Sequence, residues 1–253
     1  MFGWLLAILA GYLLGSIPTG YWVGKLVKGI DIREHGSKST GATNVLRCVG
    51  KGPALFVFLF DIFKAYAPVW VSATYTREIS QLGPAMSEQL MGWHVLPTAV
   101  AVMELLGHSK SIFLGFTGGG KSAAVALGSV FAMNPLAALL SFFTWLTILG
   151  LSRFVSLASI LATASSAVWV YLVNTYFHEH PQWAYILYCS VGGSYVIYRH
   201  KANIKRLLSG TEPKIGQKAD TEKGETTDQS NAKKPADKDE TKNAEISNPK
   251  SND

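Results

Sequence analysis

Four stretches of this 253-residue chain carry residue types suited to holding a phosphate. The first is Glu34-His-Gly-Ser-Lys-Ser-Thr-Gly-Ala-Thr-Asn-Val-Leu-Arg47. Gly36 and Gly41 free backbone N–H groups. Ser37, Ser39, Thr40 and Thr43 add hydroxyls, Asn44 adds an amide, and Arg47 adds a forked cation. The second runs from Gly107 and His108 to Gly118-Gly-Gly-Lys121. There Gly118, Gly119 and Gly120 form a flexible run that exposes amides, and Lys121 supplies a point charge. The third, Ser152-Arg-Phe-Val-Ser-Leu-Ala-Ser159, contributes Arg153 and Ser156. The fourth is the pair His200 and Asn203, three apart, which a helix turns to one direction.

Taken singly, each stretch has a plainer explanation. The first could be a Gly/Ser-rich connector. His108 resembles a helix-terminal or core histidine, an Arg after an apolar run is routine, and His200 with Asn203 could be polar surface. Gly115 to Ser122 satisfies the nucleotide-loop pattern G-x-x-x-x-G-K-[ST], but that motif needs a strand before it and a helix after it in a parallel sheet. Apolar runs surround it here, so nucleotide binding is not expected. Together, small, hydroxyl-rich, cationic segments brought to one face suit a ligand with one or two phosphates. Cys48 and Cys189 give no disulfide or metal framework, and neither a metal nor a cofactor is implied.

The elements that must position these residues are apolar. The composition is 48% hydrophobic and 16% charged, against about 25% charged in soluble domains. The expected fold is an all-α integral membrane protein of about seven transmembrane helices, some of them short. Charge-free residues 2–24 read as a retained first span, with Gly11, Gly15 and Gly20 for close packing and a kink at Pro18. Residues 53–75 form the second, with Asp61 and Lys64 paired across a turn, either as structure or against substrate. Residues 95–107 form a short third. The charge-free run 122–152 breaks at Asn134-Pro135 into two spans. Residues 156–176 and 182–198 complete seven, with an outer loop over 76–94 and an outer turn at His178, Glu179, His180 and Pro181. The Lys/Arg clusters then share the cytoplasmic face, which places the N-terminus outside and the C-terminus inside. The transmembrane domain spans 1–210. Residues 211–253 read as a disordered charged tail.

These motifs, in this order, resemble the bacterial acyl-phosphate:glycerol-3-phosphate acyltransferases. Gly36-Ser37…Gly41-Ala-Thr-Asn-Val-Leu-Arg47 is similar to that family's first signature. Gly107-His108…Phe113-Leu114…Gly-Gly-Lys121 is similar to the second, and Arg153-Phe-Val-Ser-Leu-Ala-Ser159 to the third. His200-Lys-Ala-Asn203 with Gly210-Thr-Glu212 is similar to the closing segment. The likeness covers residues 1 to about 216. Departures are Lys38-Ser39 where Gly-Asn is common, one extra Gly among 118–120, Val125 for Thr, Ala65 for Gly and Lys201 for Arg.

The resemblance implies transfer of a fatty acyl group from acyl phosphate to glycerol 3-phosphate, in the bacterial inner membrane with the site on the cytoplasmic face. It implies catalytic roles for Ser37, Arg47, Lys121 and His200. Substrate contacts would come from Ser39, Thr43, Asn44, His108, Gly118, Gly119, Gly120, Ser156 and Asn203. The segment Ser37 through Asn44 would hold the acyl phosphate. Arg47, Lys121, Ser156, His200 and Asn203 would clamp glycerol 3-phosphate. His108, His200 or a substrate phosphate oxygen would take the hydroxyl proton, the last being favoured. Membrane lipid is a further partner, and contact with the soluble enzyme that makes acyl phosphate is open. No nucleic acid is implied. The competing reading from residues alone is a transporter for a phosphorylated metabolite.

Overall fold

The computed structural model describes residues 2–81, 83, 92, 94–177 and 182–217, and the regular elements among them are all helical. Helix α1 (Phe2–Ser16) and α2 (Thr19–Lys28) are separated by a break at Ile17-Pro18. A short α3 (Ala42–Cys48) precedes the long α4 (Lys51–Ser80). Then come α5 (Val95–Ser109), a 3-10 turn (Ile112–Leu114), α6 (Ala123–Met133), α7 (Pro135–Ser152) and α8 (Val155–Phe177). The chain closes through α9 (Trp183–Leu187), a π-helical turn (Tyr188–Gly192), α10 (Gly193–Arg199) and α11 (Lys201–Leu208).

Among the described residues, four segments are long and apolar enough to cross a membrane: Phe2–Lys28, Lys51–Ser80, Pro135–Ser152 and Val155–Phe177. Helix α6 is apolar but shorter. Large side chains such as Leu5, Phe56, Phe63, Trp70 and Phe143 are exposed on the helix exteriors. Small ones fill the contacts between helices. Gly11 and Gly15 of α1 sit against Val100 and Glu104 of α5, where any added Cβ meets backbone. Without a hydrophobic drive inside lipid, such close approach is how helices gain contact.

The break at Asn134-Pro135 falls where the sequence places it. Asn134 Oδ1 accepts the Ala137 N–H at 3.0 Å, and Pro135 starts α7 without needing an N–H partner. Other boundaries move. Helix α4 extends to Ser80, so part of the expected outer loop is helix. Between the first two expected spans, α2 continues to Lys28 and Arg47 stands on α3. The remainder of the outer loop, 84–91, and the turn His178 to Pro181 lie outside the described residues.

The expected boundary at residue 210 also shifts. Residues 211–217 form a strap across the helix ends. Pro213 O faces an Arg47 guanidinium nitrogen at 3.5 Å, Ile215 N–H donates to Arg153 O at 2.8 Å, and Lys214 lies 5.5 Å from the Phe154 ring. The tail from 218 onward is outside the described residues.

Candidate functional site

The break between α1 and α2 is stapled from α4. Lys64 Nζ donates to Ile17 O at 2.8 Å, and Thr19 Oγ1 donates to Asp61 Oδ1 at 3.0 Å. Lys64 and Asp61 pair at 2.8 Å, both buried. The spacing of three that suggested a pair therefore makes one. Lys64 Nζ also lies 3.2 Å from His108 Nδ1. An ammonium has no lone pair, so Nδ1 accepts and the His108 proton sits on Nε2. That nitrogen faces Gly120, where a Cβ would collide with the ring.

Asn44 builds the first loop from within. Its Oδ1 accepts the Ser37 N–H at 2.8 Å, while Nδ2 lies 2.9–3.1 Å from the carbonyls of Ser39, Ile32 and His35. The amide is 1% exposed and its bonding is spent on the loop, so Asn44 shapes the wall more than it offers contacts. Lys38, at φ 55°, occupies the left-handed region that favours glycine.

Between α3, α4, α6, α7 and α8 lies a cavity of about 150 Å³. Ser37, Ser39, Thr43, Asn44 and Arg47 line one side; Lys121, Ser122 and His108 another; Ser156, His200, Asn203 and Glu212 close it. Asp61 also reaches the wall. Its remaining lining is apolar and aromatic, including Leu127, Val130, Phe58, Phe142 and Trp145. Trp145 stacks with Phe58 and Phe142 at 6.0 and 5.9 Å, and its Nε1–H donates to Ser159 Oγ at 3.2 Å. One chamber thus joins a polar, cationic part to an apolar part.

Three expected contacts do not reach the wall. Gly118, Gly119 and Gly120 stand behind it, packed on Arg33, on the Ser109 carbonyl and on His108. Their lack of a Cβ allows this close packing, and the Gly120 N–H is already given to His108 O at 3.1 Å. Arg153, at φ 62°, caps the end of α7, is exposed, and uses its carbonyl to hold the strap.

Glu212 is the residue that sequence reasoning left out of the site. Its Oε1 accepts from Ser156 Oγ at 2.8 Å and from Asn203 Nδ2 at 2.7 Å, and its Oε2 accepts from Arg206 Nε at 2.7 Å. Burial works against its charge, but these hydrogen bonds and Arg206 prevail and hold its pKa below the usual carboxylate value. The available signal was its place in the closing segment, Gly210-Thr-Glu212.

The cationic part is short of counter-charge. Burial, then Arg206, with Arg47 and Arg199 adding to it, lowers the Lys121 pKa to about 8; Glu212 opposes the fall. Arg47 is likewise lowered, first by burial, and remains a cation. His200 is pushed down to about 4, chiefly by burial, and is neutral near pH 7. Its Nδ1 lies 2.8 Å from Val196 O, which can only accept, so Nδ1 carries the proton and Nε2 keeps its lone pair. With Arg47, Arg199 and Arg206 near Lys121 and Glu212 the acid that acts on it, this part suits an anionic ligand.

Fold and site together define a membrane-spanning helical protein that sets an anion-binding chamber beside an apolar one. Comparison with known proteins narrows the class. The chain belongs to the glycerol-3-phosphate acyltransferase family, whose model matches residues 5–210. It is 50% identical over 223 residues to the glycerol-3-phosphate acyltransferase of Rippkaea orientalis, covering 87% of this chain and 96% of that one. It is 50% identical over 220 residues to that of a Nostoc species, covering 85% and 93%. Among solved structures it is similar to PlsY, an integral membrane glycerol 3-phosphate acyltransferase. The glycerol 3-phosphate form matches with a TM-score of 0.73, 37% identity and coverage of 85% of this chain and 96% of that one. The lysophosphatidic acid form matches with a TM-score of 0.71.

Proposed function

We propose that this protein transfers a fatty acyl group from acyl phosphate to glycerol 3-phosphate, releasing lysophosphatidate and phosphate. The observation that carries this reading is the single chamber in which Arg47, Lys121, Ser156, His200 and Asn203 stand beside an apolar wall. Such a chamber takes two anions and a lipid chain at once. The relatives named for acylation of glycerol 3-phosphate support the acceptor. The donor rests on the sequence resemblance.

The acyl phosphate group sits against Ser37, Ser39 and Thr43, with its chain toward Phe58, Phe142 and Trp145. Arg47, Lys121 and Ser156 hold the phosphate of glycerol 3-phosphate, with Asn203 and His200 beside it. The acceptor's primary hydroxyl oxygen attacks the acyl carbonyl carbon. The carbon–oxygen bond to phosphate breaks, phosphate leaves, and the hydroxyl proton goes to a phosphate oxygen. His108 is a poor choice for that proton, since its Nδ1 is taken by Lys64. His200, at about 4, is a weaker base than a phosphate monoester, whose second pKa is about 6. His200 Nε2 instead accepts from the acceptor's secondary hydroxyl and so orients glycerol 3-phosphate. The mixed anhydride is already activated, so the protein's work is to position the reactants and offset anion repulsion.

In the same reading the chain crosses the bacterial inner membrane seven times, N-terminus outside and C-terminus inside, with the site on the cytoplasmic face. Contact with the soluble enzyme that makes acyl phosphate fits such an arrangement. The test uses purified protein in detergent with acyl phosphate and labelled glycerol 3-phosphate. Labelled lysophosphatidate must form without nucleotide or added metal. A transporter makes none. Acyl-CoA and acyl carrier protein thioesters, tried in parallel, test the donor. In Arg47→Ala, loss of a charge-assisted contact, about 1.5–3 kcal/mol, should lower kcat/KM by roughly tenfold or more. Near-normal turnover in that variant would remove Arg47 from the site.

A further inference from the structure

Arg199 ends α10 outside the cavity lining, yet it is tied to the loop that carries Lys121. Its Nη2 donates to Gly120 O at 3.0 Å and to Gly119 O at 3.3 Å, and its Nη1 to Ser109 O at 3.4 Å. Tyr195, one turn earlier on the same face, has its hydroxyl 2.6 Å from Ser109 Oγ. Three carbonyls from both ends of one loop thus converge on one guanidinium. Lysine has no planar fork with which to repeat that.

We propose that Arg199 is the positioning residue of this loop: it ties Ser109, Gly119 and Gly120 to the end of α10 and so sets where Lys121 stands at the cavity. The proposal rests on the acyltransferase reading for what Lys121 binds, and on geometry for how it is held. The Gly120 carbonyl is the one bonded to the Lys121 nitrogen, so rotation of that peptide moves Lys121 directly. Arg199 also keeps a positive charge near the Lys121 ammonium. The other charged or titratable groups around Lys121 are Arg206 on α11, Glu212 on the strap, Arg47 on α3 and His200 between α10 and α11. His108 on α5 faces the loop through Gly120. Like charges on neighbouring sites lower a lysine pKa, so removing the Arg199 charge raises that of Lys121.

The test compares wild type, Arg199→Gln and Arg199→Lys in detergent, with two readouts. Kinetics give kcat and the KM for glycerol 3-phosphate. Labelling with an amine-reactive reagent over a pH series, read by mass spectrometry at Lys121, gives its titration without reference to activity. Arg199→Gln should raise KM about tenfold, with kcat changed far less, and should move the Lys121 labelling midpoint upward. Arg199→Lys keeps the charge but not the fork. It should leave the midpoint in place while KM still rises. Should Arg199→Gln fail to fold, the lysine variant alone decides, since wild-type KM in it overturns the proposal. So does an Arg199→Gln midpoint that stays put or falls, or a loss confined to kcat. If wild type makes no lysophosphatidate, the acyltransferase reading fails, and the labelling midpoint still decides whether Arg199 governs Lys121.

Discussion

Replacing Lys121 with methionine should stabilise the protein while removing its acceptor affinity. In the fold, burial and the neighbouring Arg206, Arg47 and Arg199 bring the Lys121 pKa from 10.5 to about 8. A fall of that size means the ammonium is disfavoured in the folded state by on the order of 3 kcal/mol. The sign follows from linkage. Between pH 8 and 10.5 the unfolded chain binds the proton and the folded chain does not, so wild-type stability gains as pH rises through that window. Below pH 8 the penalty is fully present, and above 10.5 it is gone. Lys121→Met, a side chain of similar length, has no such penalty at any pH. Its advantage should be largest below pH 8 and should vanish above 10.5. SDS or thermal unfolding in detergent, run in parallel on both proteins across pH, isolates this difference. Glycerol 3-phosphate should stabilise wild type and leave the variant unchanged, because a ligand stabilises only the state that binds it. A variant no more stable than wild type below pH 8, or one whose advantage persists above 10.5, refutes the account of Lys121.

Lys38→Gly should stabilise the first loop by about 1 kcal/mol, since a residue with a Cβ at φ 55° is strained and glycine is not; the unfolding midpoint measures it. Glu212→Ala leaves Ser156, Asn203 and Arg206 without their shared acceptor and should destabilise the fold by roughly 3 kcal/mol. Because Glu212 supports the Lys121 charge, any activity left in that variant should lose its alkaline limb at lower pH than wild type, as a pH–rate profile would register. Removal of residues 218–253 should leave kcat and KM at wild-type values, whereas removal from 211 onward should not, because the strap holds Ser156, Asn203 and Arg47.

Much of the site was legible because its chemistry is local in sequence. Ser37 to Arg47, Lys121, Ser156 and the His200–Asn203 pair each sit in short runs whose composition already suits a phosphate, and the structure gathers them around one cavity. The break at Asn134 was legible for the same reason, as a helix cap followed by proline is a local signal. What escaped depends on distance along the chain. Glu212 meets Ser156 across 56 positions, and Arg199 reaches Gly120 across 79. Arg199 carries no local mark of that role, and Glu212 only its place in the closing segment Gly210-Thr-Glu212. Gly118, Gly119 and Gly120 suited an open phosphate cradle, yet a residue without a Cβ serves equally well for close packing, and only the positions of His108 and Ser109 decide between the two. Asn44 shows the same ambiguity: an amide that could face a ligand instead spends its bonds on the loop.

The π-helical turn at Tyr188–Gly192 sets how that last segment can vary. Such a turn holds one residue more than an α-helix would. Everything beyond it, including Tyr195, Arg199, His200 and Asn203, keeps its facing because the turn takes up that extra residue. Closing the turn to α-helix with all its residues kept would swing the whole set by about 100° away from the cavity, whereas dropping a single residue between 188 and 192 removes the bulge and leaves their facing nearly unchanged. Substitutions there can be absorbed one side chain at a time. A further added residue cannot, so the upper limit on the spacing between α9 and α10 is a stricter constraint on this chain than the identity of the residues that fill it.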